Sequence, residues 1–150
     1  MVKYILIAVV LVAGYFLFIK DSYPSDIYFQ DIELSSKQDN NDSLNKEIDI
    51  FSYRDSTNHH VLLLALVNDS ATVTVEGITI QYLARFESQG LKFKKEGSRH
   101  LGLMSDTVMY IATAKNMNAL IAYTVKGGGS SPRSVGEASA IFSDLENFSL

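Results

Sequence analysis

Cysteine is absent from all 150 positions of this chain. Disulfides, a thiolate nucleophile and attachment through a lipidated N-terminal cysteine are therefore excluded. Three motif absences narrow the chemistry further: there is no Gly-x-x-x-x-Gly-Lys-Ser/Thr loop, no Gly-x-Ser-x-Gly elbow and no His-Glu-x-x-His pair. Positive charge is also scarce. Lys and Arg number 13 against 17 Asp and Glu, for a net charge of −4. The only basic clusters are Lys92, Lys94 and Lys95, and further on Lys126 with Arg133. That opposes nucleic acid as a main target, because phosphate binding rewards dense Lys and Arg.

One long apolar run is present, from residue 4 to residue 19, closed by Lys3 and Lys20. As a helix rising about 1.5 Å per residue it covers roughly 24 Å, and snorkelling lysines extend it toward the roughly 30 Å hydrocarbon layer of a bilayer. Bulky Tyr15, Phe16, Leu17, Phe18 and Ile19 stand where a signal peptidase needs small residues, so the segment reads as an uncleaved signal anchor. Lys3 before the run, and Asp21, Asp26, Asp31 and Glu33 after it, place the N-terminus in the cytoplasm. The expectation is a single-pass inner-membrane protein, if bacterial. Residues 1–20 would form the transmembrane helix and 21–150 one exported, periplasmic domain. Without Lys3 and Lys20 that domain has 11 basic residues against 17 acidic.

Along the chain, Ile27, Phe29, Ile32 and Leu34 alternate only in part and suggest an edge strand. Residues 35–49 are highly polar and read as a solvated loop, with a short helix in the second half capped by Asp42 or Ser43. The run His60–Val67 is apolar throughout, so periodicity cannot assign it; its leucines, with caps available at 55–58 and a stop at Asn68-Asp69, favour a helix. Val75, Ile78, Tyr82, Leu83 and Phe86 share one helical face, and Gly90 stands where a helix C-terminus wants glycine. From 91 to 125 the pattern becomes an antiparallel β-meander, with turns at 96–98 and 115–118. Ala138, Ile141, Phe142, Leu145 and Phe148 then form the apolar stripe of a C-terminal amphipathic helix. Helices on either side of a meander predict an α+β fold.

The ingredients of chemistry are thin. Adjacent His59 and His60 point in different directions on any regular element, and nothing in the sequence brings His100 beside them, so no metal site is expected. Ser105-Asp106 reads as a turn, and no carboxylate lies in an apolar run that would raise its pKa. The remaining candidate is the segment Lys126, Gly127, Gly128, Gly129, Ser130 and Arg133, between a strand and a helix. Its backbone N–H groups and two cations have the composition of an anion cradle, although a flexible connector is the commoner meaning. The expected function is a membrane-tethered accessory domain, held by residues 4–19, that binds another envelope component, a protein, without catalysis or cofactor. A small-anion sensor or enzyme using the glycine segment is the alternative.

Overall fold

The computed structural model describes residues 26–36, 47–127, 132 and 134–150. Eight strands form one sheet: β1 (Asp26–Phe29), β2 (Ile32–Ser36), β3 (Ile48–Arg54), β4 (His60–Val67), β5 (Lys92–Glu96), β6 (Arg99–Met104), β7 (Thr107–Ala114) and β8 (Ala119–Lys126). Helix α1 (Val75–Ser88) follows β4, and α2 (Val135–Glu146) follows β8. Strand order is β1-β2-β3-β4-β8-β7-β6-β5, and every neighbouring pair is antiparallel. Two four-stranded meanders thus join along β4 and β8, where the ladder runs from His60 opposite Val125 to Leu66 opposite Ala119.

Each meander is followed by a helix, yet the halves are not related by a two-fold axis. Such an axis, normal to the sheet between antiparallel β4 and β8, would put both helices on one face. Instead Val75 and Ile78 of α1 pack on Ala65, Val67, Met109, Ile111, Leu120 and Ala122. Phe142 and Leu145 of α2 pack on the opposite face, with Leu62, Leu64, Tyr110, Ile121 and Tyr123. The central strands are consequently buried on both faces. This corrects the expected α+β fold: the domain is a large antiparallel sheet with one helix on each side.

Burial on both faces also corrects His60–Val67, which is central strand β4 and not a helix. A strand covered on one face alternates in hydropathy, whereas one covered on both reads as a continuous apolar run. The segment at 27–34 is a hairpin, β1 and β2. The meander at 92–126 and the helices at 75–88 and 135–146 occupy ranges where such elements were expected. Of the short helix expected in the second half of 35–49, the part up to residue 46 lies outside the described residues, while Ile48 and Asp49 belong to strand β3.

The single-pass membrane reading, with its inner-membrane location, is also corrected. Among the described residues no helix is long and apolar enough to cross a membrane. The two helices have 14 and 12 residues, about 21 Å and 18 Å at the helical rise, and each is amphipathic. Residues 4–19, on which that reading rested, lie outside the described residues.

Local chemistry fixes the helix ends. Thr74 Oγ1 accepts from Gly77 N at 3.1 Å, and Ser134 Oγ accepts from Glu137 N at 3.1 Å, each satisfying an N-terminal donor. At the end of α1, Gly90 takes φ +107 while its N–H donates to Glu87 O and the Leu91 N–H donates to Phe86 O. That paired bonding is a Schellman motif, in which a glycine avoids the steric cost of positive φ. The length of α1 matches its task. Crossing from β4 to β5 covers four strand spacings, about 19 Å.

The sheet is strongly curled at its β1 end. Phe29 of β1 and Tyr123 of β8 are four strands apart in the order, about 19 Å in a flat sheet, yet their rings lie 4.8 Å apart. The β1–β2 hairpin folds over the face carrying α2, and Gln30 Nε2 in its turn donates to Asp144 Oδ2 at 2.6 Å. The turn has φ +53 at Gln30 and +60 at Asp31, the two positive values that a type I′ hairpin turn needs. Across the sheet, Arg99 Nη2 and Glu146 Oε1 are 2.5 Å apart, tying β6 to the last turn of α2.

A Cβ on Gly102 would lie 2.5 Å from Phe93 Cε1, because the ring covers the glycine across the β5–β6 pair. Gly102→Ala should cost about 1–3 kcal/mol by overpacking, and in a Phe93→Ala background the same change should be neutral or stabilising. An equal cost in both backgrounds, measured by urea unfolding, would rule out this contact. Asp31→Gly should stabilise by up to about 1 kcal/mol, since glycine pays no penalty at φ +60; a loss of stability would contradict the turn assignment.

Candidate functional site

Three places gather polar or charged side chains. The first lies at the end of the sheet where β8 leaves for α2. Lys126 N donates to His59 O at 2.8 Å, and Gly127 N donates to Asp106 O at 2.7 Å. The β3–β4 and β6–β7 turns thus grip the exit of β8 from either side. Gly127 has φ +117 and open space where a Cβ would stand, so a turn is what requires glycine here. Among the sequence candidates, Lys126 is exposed and Gly127 half-buried; Gly128, Gly129, Ser130 and Arg133 lie outside the described residues. Anion cradles work through N–H groups left free for the ligand. Those of Lys126 and Gly127 are already donated to carbonyls.

The second place is the face under α2. His60 Nδ1 and Tyr123 Oη share a hydrogen bond of 2.8 Å, and Tyr123 neighbours Phe29 and Tyr110. Asp55 closes the β3–β4 turn: its Oδ1 accepts from His60 N at 3.1 Å and its Oδ2 from Thr57 Oγ1 at 2.5 Å. Slight burial pushes the Asp55 carboxyl up, but the Thr57 hydroxyl, the amides of His60 and His59, and the charge of His60 outweigh it and hold it below the ordinary range. Burial raises Tyr123 to about 12, with the Tyr110 and Asp55 charges adding to it; burial, then Glu137, raises Tyr110 to about 12. Neither phenol is a base near neutral pH. Among the described residues, every buried side-chain nitrogen or oxygen has a hydrogen-bond partner. The tyrosine, histidine and aspartate lock a turn to the core, and their bonds are spent within the protein.

The fold does not gather the three histidines into one cluster. His60 bonds Tyr123, His59 offers its carbonyl to β8, and His100 sits on β6 opposite Lys95 and Ile111. Burial and then the charge of Lys95 lower the His100 pKa. Among the described residues no group of three His, Cys, Asp or Glu is placed to hold a metal ion.

The third place is β5 itself. It is the last strand of the sheet and pairs only with β6, so one side of its backbone faces no strand among the described residues. Lys92, Lys94 and Lys95 are all exposed on it. Beside them on β6, Leu103 and Met104 are 42% and 41% exposed. Phe93 is half-buried and packs at the margin of the core beneath α1. The lysine cluster was visible in the sequence, but its place on an open edge was not, because strand order is a property of the whole sheet.

No family model matches this chain, and neither does any curated protein or solved structure.

The raised phenols give a sign to the pH dependence. Their ordinary value is 10.0 and their folded value about 12, so the folded state holds the protons more tightly than the unfolded chain. The resulting stability is complete below pH 10 and is lost as pH rises from 10 toward 12, at about 1.4 kcal/mol per pH unit for each phenol. Denaturant titrations above pH 10 should show a shallower loss in Tyr110→Phe and Tyr123→Phe than in the native chain. An unchanged slope in the double variant would remove the phenols as its cause.

Proposed function

We propose that this protein is a non-catalytic interaction domain that holds a partner protein. The observation that supports the reading is the open side of β5, with its three exposed lysines and the exposed Leu103 and Met104 on the adjoining strand. Unpaired strand edges are templates for pairing with another chain, and exposed apolar side chains rimmed by charge are typical of protein-binding surfaces. The polar cluster around Tyr123 supports the same reading from the other direction. Its groups already satisfy one another, and its phenols keep their protons near neutral pH.

A second reading, a small anion held at 126–134, keeps one favourable feature: the segment leads into the N-terminus of α2. Against it, the first two N–H groups of the segment bond protein carbonyls, and the first turn of α2 carries the acid Glu137. The protein-binding reading therefore leads.

A photo-crosslinking side chain at position 103 should give one discrete adduct with a protein of the source cell, identifiable by mass spectrometry and abolished by excess unlabelled domain. The same group at exposed Ala140 on α2 should not. Equal labelling from both positions, or no competed adduct, would count against the reading. So would a phosphate or carboxylate compound that raises the melting temperature of the native chain but not of a Lys126→Ala variant.

A further inference from the structure

Resting on the protein-binding reading above, we propose that the segment recognised is an extended acidic strand of the partner, which adds to the open side of β5. Three features of β5 carry this. First, its charge differs from that of its host: Lys92, Lys94 and Lys95 lie within four consecutive exposed or half-buried positions of a chain whose net charge is −4. Like charges set opposite one another across a ladder destabilise it, so pairing of β5 with a second copy of β5 is opposed and an acidic strand is favoured.

Second, the spacing is that of a strand. Lys92 and Lys94 are two residues apart and lie on the face of Leu101 and Leu103, their partners on β6. Alternate residues of a strand are about 7 Å apart, so acids at alternate positions of an added strand meet both lysines. Phe93 and Lys95 point to the other face.

Third, the apolar contacts fall on both faces where a strand would lie. Phe93 sits at the rim of the core formed with Tyr82, Leu83 and Phe86 of α1, so an apolar residue opposite it would extend that core. On the lysine face, Leu103 is 42% exposed next to Lys92. The sequence opposite Lys92, Phe93, Lys94 and Lys95 is accordingly acidic, apolar, acidic, acidic. Main-chain bonds would supply affinity and these side chains the choice of partner, as in other cases of strand addition.

The probe is a fluorescent peptide of about eight residues, a usual strand length, centred on Glu-Val-Glu-Glu and titrated against the full chain. Binding should weaken at least about tenfold when salt is raised, because exposed charges are screened. It should be lost in Lys92→Glu/Lys94→Glu and regained by that variant with a Lys-Val-Lys-Glu peptide. The peptide should slow amide exchange along 92–96. Replacing its central valine by proline, which removes a ladder donor, should abolish binding while leaving its charge unchanged.

Equal affinity of the proline peptide, or competition by an oligonucleotide of equal charge, would show that charge alone is read and would overturn strand addition. A competed protein adduct at position 103, with no binding by any acidic peptide, would overturn the acidic strand while leaving the protein-binding reading in place. Loss of both would remove the two together.

Discussion

The pairing of β4 with β8 is the constraint on which the rest of the domain depends. It is the one ladder that pairs a strand of the first meander with a strand of the second among the described residues, and seven residue pairs from His60 with Val125 to Leu66 with Ala119 hold the joint. Strands at the centre of an eight-stranded sheet must be covered on both faces, and neither meander has enough helix to do this alone. α1 closes one side and α2 the other, so Leu64 and Ile121 are fully buried on one face while Ala65 and Leu120 are fully buried on the opposite face. Separating the two strands would expose both cores together, which makes the joint the natural unit of cooperative unfolding.

The same double burial explains which parts of the fold were legible in the sequence. Helix α1 could be read because Val75, Ile78 and Tyr82 share a face, and α2 because Phe142 and Leu145 do. The turn at 115–118 could be read because two β-branched runs flank polar residues. In contrast β4 could not be read: once both faces are buried the alternation that marks a strand is gone, and the leucine-rich run His60–Val67 resembles a buried helix. The β1–β2 turn was hidden for a different reason. Its two positive-φ positions are filled by Gln30 and Asp31, without the glycine or asparagine that usually signals such a turn.

The candidate site divides in the same way. Composition singled out the glycine segment and the lysine cluster alike, and only topology distinguishes them. Lys126 and Gly127 are drawn into the frame by carbonyls of the two flanking turns, His59 and Asp106, which are distant from them in sequence and from each other. Nothing local in the chain announces those partners. Lys92, Lys94 and Lys95 gain meaning only from the fact that β5 ends the strand order, which follows from α1 carrying the chain across the whole second meander before β5 begins.

That crossing also settles what kind of edge β5 is. Set down at the far side of the sheet by a helix lying on one face, β5 has α1 above it and faces no strand among the described residues on its outer side. Phe93 uses this shelter by lying over Gly102 and against the core of α1, so the middle of the strand is anchored while the lysines on either side remain in solvent. Lysines on an edge protect a sheet against unspecific pairing. On a chain of net negative charge they do so selectively: they repel another copy of the same edge while leaving the backbone open to a strand of opposite charge. The charge that opposes pairing of this edge with its own copy is therefore also the one that would favour an acidic partner strand.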